Sequence, residues 1–257
     1  MNLIEMNPSS QTKNRLLAFL SFFLVCYSTT AQPSLWERKR QIKGTDTLQY
    51  RILVSDYGND QNHPLVIFLH GSGERGSDNE SQLKWGVNNF ASNEVMKTYR
   101  PIVIAPQCPD NLNWSSNGDG NKSSQNRPIH LVISLIEDAI KTYDIDTSRI
   151  YITGLSMGGF GSFELLSMKP NLFAAAVPVC GGGDINEVPK FAHIPIWIFH
   201  GAKDAAVPVS YSTEMVGALM KEGATPGYTQ YPEAGHFSWV AAYSDMMMMN
   251  WLFNQKK

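Results

Sequence analysis

A serine set between two glycines, in Gly154-Leu155-Ser156-Met157-Gly158, follows the strand-like run Arg149-Ile150-Tyr151-Ile152-Thr153 and precedes a helix-like stretch. In that strand–turn–helix setting the pattern G-x-S-x-G marks a nucleophile, held on a turn so tight that only glycine fits at its flanks. A serine hydroxyl attacks a carbonyl only when a base takes its proton, and the base needs a third group to fix its tautomer. The chain supplies both downstream, in the order Ser, Asp, His. Asp204 lies in His200-Gly201-Ala202-Lys203-Asp204 and His236 in Ala234-Gly235-His236. Singly, the first reads as a turn residue and the second as a surface histidine. Jointly, each following a predicted strand, they read as acid and base. Asp184, after Cys180-Gly181-Gly182-Gly183, follows the preceding strand and competes for the acid's role.

The negative charge that builds on an attacked carbonyl oxygen needs hydrogen-bond donors. One is the backbone N–H of Met157, the residue after the nucleophile. The other is expected from the loop His70-Gly71-Ser72-Gly73-Glu74-Arg75-Gly76, with Ser72 as donor and glycines that permit close approach. His70 and Glu74 read as braces for this loop. Trp114, Phe160 and Trp239 are the candidates to line an acyl or leaving-group pocket. The remaining histidines, His63, His130, His193 and His200, show no metal-ligand spacing and read as surface or strand-end residues.

Positioning these groups falls to apolar runs at Leu65–Leu69, Ile102–Ala105, Ile150–Thr153, Ala174–Val179, Ile196–His200 and Tyr228–Tyr231, with Leu48–Ser55 near the sheet edge. Between them Ile129, Val132, Ile133, Ile136, Ile140 and Tyr143 recur at helical spacing. Met157–Met168 is a helix that Lys169-Pro170 ends, and Ser210–Lys221 and Phe237–Phe253 complete the helices, the Met246–Met249 run filling core and surface. Alternation of near-continuous apolar strands with helices predicts a mostly parallel sheet covered on both faces. In such sheets ligands bind beyond the carboxyl ends of the strands, where each motif above falls. The stretch 180–195 leaves no room for a large cap domain, so the cleft is expected to be open. The long irregular segment Gln107–Pro128, rich in Asn, Ser and Gly around Trp114, is expected to shape specificity.

A 257-residue chain, 43% hydrophobic, can bury one substantial core, and its net charge of −2 without a basic stripe argues against nucleic acid. Lys13 and Arg15 before the apolar run Leu16 to Tyr27, then Thr29-Thr30-Ala31, read as a signal peptide cut after Ala31. The run is shorter than the ~20 residues a membrane span needs. A lipoprotein with Cys26 as anchor is disfavoured by the bulk of Val25. Residues 32–257 then form one catalytic domain, periplasmic or extracellular. Cys108 and Cys180 follow strands expected about 14 Å apart, beyond the ~7 Å a disulfide spans, so they are expected to be unpaired.

The segments Leu69–Gly76, Ala105-Pro106-Gln107-Cys108-Pro109, Gly154–Gly159, Phe199–Asp204 and Gly235-His236 together resemble the α/β-hydrolase superfamily. Within it they are similar to the secreted group described as predicted peptidases or phospholipase/carboxylesterase-like proteins. The likeness covers nearly all of residues 32–257 and extends to feruloyl and acetyl-xylan esterases and polyhydroxyalkanoate depolymerases. It implies an α/β-hydrolase fold and a cofactor-free serine hydrolase with Ser156, Asp204 and His236 in the triad positions. Asp204 is preferred to Asp184 because its loop follows the strand that most often carries the acid in that fold. The reaction expected is ester hydrolysis through an acyl-enzyme, on acyl groups of polysaccharides or on short-chain esters. A peptidase and a catalytically silent binding protein are the other readings.

Overall fold

The computed structural model of the protein describes residues 35–55, 62–116 and 128–257. The expected signal at 1–31, Cys26 and part of the Gln107–Pro128 loop lie outside the described residues. Eight strands form one sheet: β1 (Glu37–Lys43), β2 (Asp46–Val54), β3 (His63–Leu69), β4 (Ile102–Pro106), β5 (Ile145–Leu155), β6 (Ala175–Val179), β7 (Trp197–Gly201) and β8 (Gly227–Tyr231). Their order is β1-β2-β4-β3-β5-β6-β7-β8. β2 runs antiparallel to both its neighbours, and β4, β3, β5, β6, β7 and β8 are mutually parallel. All five residues of β4 and of β6 are buried, as strands covered on both faces must be.

Side-chain alternation along β3 feeds two cores. Leu65, Ile67 and Leu69 enter one, shared with α2 (Pro128–Thr142), α3 (Met157–Met168) and α5 (Ser210–Lys221). Val66 and Phe68 enter the other, which α1 (Asn93–Thr98), α6 (Trp239–Ser244) and α7 (Met246–Asn254) close. The α2 stripe buries Ile129, Val132, Ile133 and Ile136, the spacing that its sequence shows. Between β6 and β7 stand only a 3-10 turn at Ile185–Glu187 and the one-turn α4 (Val188–Phe191), so no large cap covers the sheet edge among the described residues. No helix among them is long and apolar enough to cross a membrane.

Three features depart from the sequence expectation. Phe237–Phe253 is not one helix: a 3-10 turn at His236–Ser238 leads into α6, and the chain then leaves helical geometry at Asp245. The Asp245 carboxylate accepts the Met247 N–H at 2.8 Å and so starts α7 as its N-cap. Within α7 Met248 and Met249 are buried and Met247 is exposed. β1 was not expected because its residues, ERKRQIK, carry no apolar alternation and stay largely exposed along the sheet edge. The long stretch between β3 and β4 is organised by 3-10 turns at Ser72–Glu74, Ser81–Leu83 and Val87–Ala91 as well as α1, elements too short to leave a periodic signal.

The sheet touches α3 most closely at the turn after β5. A Cβ placed on Gly158 would lie 1.9 Å from the Leu69 carbonyl oxygen, and one on Gly154 would lie 2.4 Å from the Gly158 oxygen. Both contacts are with backbone, which cannot swing aside. Gly158→Ala is therefore expected to destabilise the fold by ~3 kcal/mol or more. Equilibrium urea unfolding measures this, and unchanged stability, or the gain of up to ~1 kcal/mol that an unobstructed helical Gly→Ala change brings, would contradict the reading.

Candidate active site

Ser156 sits at the junction of β5 and α3 with φ 54° and ψ −117°. A non-glycine residue with positive φ costs on the order of 1–3 kcal/mol and persists only when its surroundings over-determine it. Here they do: the Ser156 N–H donates to Val179 O at 2.9 Å, and its carbonyl accepts from Phe160 N at 3.1 Å. The hydroxyl is thereby carried above the carboxyl ends of the strands.

The same edge receives the loops that follow β7 and β8. His236 Nε2 lies 3.0 Å from Ser156 Oγ, and His236 Nδ1 lies 2.7 Å from Asp204 Oδ2. A carboxylate only accepts, so Nδ1 carries the hydrogen and Nε2 presents its lone pair to the serine hydroxyl. Asp204 Oδ1 accepts the N–H groups of Ala206 and Val207, each at 2.9 Å. Burial alone would raise the Asp204 carboxyl, but the hydrogen bonds from His236, Val207 and Ala206 outweigh it and hold the group below the usual carboxylate range. The two loops are tied together by the Lys203 N–H to Ala234 O at 2.9 Å. Asp184 is engaged elsewhere: its carboxylate accepts from Asn186 and caps a 3-10 turn.

Ser72 and Met157 both border a recess of about 170 Å³ with Arg75, Asn113, Ser115 and Phe160. Ser72 also borders a second recess, about 240 Å³, shared with Ser156, His236, Glu74, Trp85, Phe237 and Trp239. The Met157 N–H belongs to the first turn of α3, whose initial donors have no intrahelical acceptor. A larger groove of about 720 Å³ lies at the amino ends of β7 and β8, bordered by Trp197, Pro226 and Trp251. None of the expected site residues borders it.

The loop carrying Ser72 is fastened by side chains. His70 is buried; its Nδ1–H donates to Gly71 O at 2.6 Å and its Nε2 accepts the Cys108 N–H at 2.9 Å. The Glu74 carboxyl accepts from the Gly71 backbone and the Trp85 side chain, and burial raises it against the nearby Lys84. Arg75 Nε donates to Leu112 O at 2.6 Å and its guanidinium also to Asn113 Oδ1. Trp114 belongs to this clamp and borders neither recess. It is fully buried and its indole N–H donates to His70 O at 3.0 Å, which corrects the expectation that it contacts substrate. Phe160 and Trp239 do border the recesses, Trp239 meeting His236 edge-on with ring centroids 5.0 Å apart.

Trp85 and Phe237 were missed from the sequence. Phe237 directly follows His236 and is 61% exposed, so adjacency to the base was a usable signal. Trp85 sits in the stretch without periodicity, and only its packing against Phe237 and Trp239 brings it to the site.

Among the described residues, the side chains close enough together to hold a metal are Cys180, Asp204 and His236, with ligand atoms within 4.8 Å of one another. Two of them already bond each other, and burial pushes the Cys180 thiol up to about 12, against the thiolate that a metal requires. Cys108 is likewise pushed up to about 12 by burial, and both cysteines are free.

Residues 53–250 match the family model described as phospholipase/carboxylesterase. Over 145 residues the chain is 30% identical to a bifunctional acetylxylan esterase/xylanase of Neocallimastix patriciarum, a match covering 56% of this chain and 19% of that protein. It is 30% identical over 132 residues to poly(3-hydroxyalkanoate) depolymerase C of Paucimonas lemoignei, covering 49% of this chain and 29% of that one. The matches thus span less than a third of either relative's length. A solved thermostable esterase superposes with TM-score 0.81 at 38% identity, over 86% of this chain and 63% of that one.

The buried clamp has a measurable signature. Burial lowers His70 to about 4, partly offset by its bond to Gly71. Unfolded, the ring titrates near its ordinary value of ~6.5. The contribution to stability is thus complete above that value and is lost as pH falls toward 4, because the unfolded chain binds the proton first. The slope is up to about 1.4 kcal/mol per pH unit. His70→Gln is expected to remove this slope between pH about 6.5 and 4. Urea unfolding at a series of pH values tests it, and parallel curves for the two proteins would contradict it.

Proposed function

The chain belongs to the phospholipase/carboxylesterase family, and from that premise we propose that it is a serine hydrolase of carboxylic esters working through an acyl-enzyme. The observation that carries the proposal is the continuous hydrogen-bonded path from Ser156 Oγ through His236 to Asp204. Ser156 attacks the ester carbonyl while His236 Nε2 takes the hydroxyl proton. Asp204 keeps Nδ1 protonated and balances the charge that the imidazole gains. The Ser72 and Met157 amides hold the oxyanion. His236 returns the proton to the leaving alcohol, and water then attacks the acyl-enzyme by the same steps in reverse. The histidine-side recess, with Trp85, Phe237 and Trp239, takes the leaving alcohol. The recess bordered by Phe160, Met157 and Ser72 takes the acyl group.

Residues 1–31 act as an export signal and residues 32–257 as the catalytic domain, so the substrate is met outside the cytoplasm. The uncapped edge suits an acyl group on a bulky carrier. Acetyl or feruloyl groups on a polysaccharide fit this setting, the former in keeping with the acetylxylan esterase relative named above.

The test is a screen of the mature protein against acetylated xylan, feruloylated sugar and short-chain aryl esters. Wild type is expected to release acid with an initial burst of alcohol from activated aryl esters, and Ser156→Ala to lose at least ~10⁴-fold in turnover. A Ser156→Ala protein as active as wild type would overturn the proposal. Asp204→Asn is expected to cost about 10⁴-fold while Asp184→Asn stays near wild type. The reverse ranking would move the acid to Asp184.

A further inference from the structure

His200, the fourth residue of β7, is fully buried, and the mechanism above leaves it unused. Its Nδ1 lies 2.7 Å from Ser212 Oγ on α5, and Ser212 Oγ lies 2.9 Å from Gly181 O. On the other side of the ring, Nε2 lies 2.9 Å from Val207 O and 3.3 Å from Asp204 Oδ2.

A hydroxyl has one hydrogen to give. Were Ser212 to spend it on His200, its oxygen would face the Gly181 carbonyl lone pair against lone pair. When it donates to Gly181 O, His200 Nδ1 must supply the hydrogen between itself and Ser212. Nε2 faces only acceptors, a carbonyl and a carboxylate, so it must carry hydrogen as well. A ring with a single N–H leaves one of these close buried contacts repulsive; a ring with two bonds both Ser212 and Val207 and places a positive charge beside Asp204.

We infer that His200 carries hydrogen on both ring nitrogens and acts as a positioning residue for Asp204, extending the chain to Ser156–His236–Asp204–His200. This rests on the proposed function only for its catalytic consequence. The buried positive ring is tolerable because Asp204 lies beside it with its side chain equally inaccessible to water. Three further groups beside this pair, among the described residues, are uncharged. α5 brings the Ser212 hydroxyl, β8 pairs Gln230 against His200, and the Cys180 thiol after β6 is kept neutral by burial. His236 lies across the shared carboxylate, bonded to the same oxygen, Asp204 Oδ2.

The charge on Asp204 Oδ2 is thus shared between its bond to His236 and the attraction of the His200 ring 3.3 Å away. His200 fixes Asp204 and moderates how strongly the carboxylate holds a proton on His236. Without His200, the carboxylate charge falls to the Nδ1–H of His236 alone.

The experiment pairs NMR with kinetics. In histidine-¹⁵N-labelled wild type at neutral pH, His200 is expected to show two N–H-type nitrogens, assigned by their loss in His200→Gln. Should that variant fail to fold, the assignment comes from the same signals moving in Ser212→Ala. One pyridine-type nitrogen on His200 overturns the inference. His200→Gln is expected to lower kcat roughly 10- to 100-fold with little change in KM. It should also move the acidic limb of kcat/KM up by roughly 0.5–1 pH unit. A fall in kcat without movement of that limb also overturns the inference, leaving only a packing role. Failure of the ester-hydrolase reading would instead appear as activity indifferent to Ser156→Ala, with the NMR signature of His200 unaffected.

Discussion

The end of β3 and the start of α3 run backbone against backbone, with the Leu69 carbonyl where a Gly158 side chain would be. That crossing imposes the positive φ of Ser156, since the chain must leave β5 and enter α3 within one residue. It also brings the Ser72 loop beside the first turn of α3, so that two backbone donors from distant segments border one recess. Any side chain at the crossing would separate Ser156 from the Ser72 loop, which the proposed reaction requires side by side. The strain at Ser156 is sustained by the sheet on one side and the helix on the other, which is why it resides at an element junction.

Around this crossing, buried and half-buried side chains hold loops in place. His70, Glu74, Arg75 and Trp114 secure the backbone near Ser72, while Asp204 ties down Ala206 and Val207 as well as His236. Buried polar networks of this sort are costly when half satisfied and rigid when complete. Loops that hold reacting groups to a fraction of an ångström therefore gain their stiffness from such networks.

Much of this was legible in the sequence because parallel strands covered on both faces have to be apolar throughout. β3, β4, β6 and the β7 core announce themselves, as do the helical stripe of α2 and the glycines of the turn at Ser156. The order of serine, aspartate and histidine could be read because each follows a predicted strand, and the geometry brings the three within hydrogen-bond distance. What escaped reading has physical reasons. β1 pairs through its backbone while its charged side chains stay in water, so its composition carries no strand signal. The 3-10 turns between β3 and β4 are shorter than one hydrophobic period. Trp114 could be named from sequence as an aromatic near the site, yet whether an indole faces a cleft or props a loop depends on where its N–H finds a carbonyl. The break at Asp245 turns on one carboxylate capping the next helix, a local event inside an otherwise helical composition.

The two sulfurs set deep in the sheet have one further effect on the chemistry. Both are free and held as thiols by burial, and the Cys180 sulfur lies within 4.8 Å of the Asp204 and His236 side chains. Suppressed in this way, they offer oxidants and electrophiles almost no anionic sulfur to attack. Soft, space-filling atoms can thus sit beside the Asp204–His236 pair without supplying a rival nucleophile.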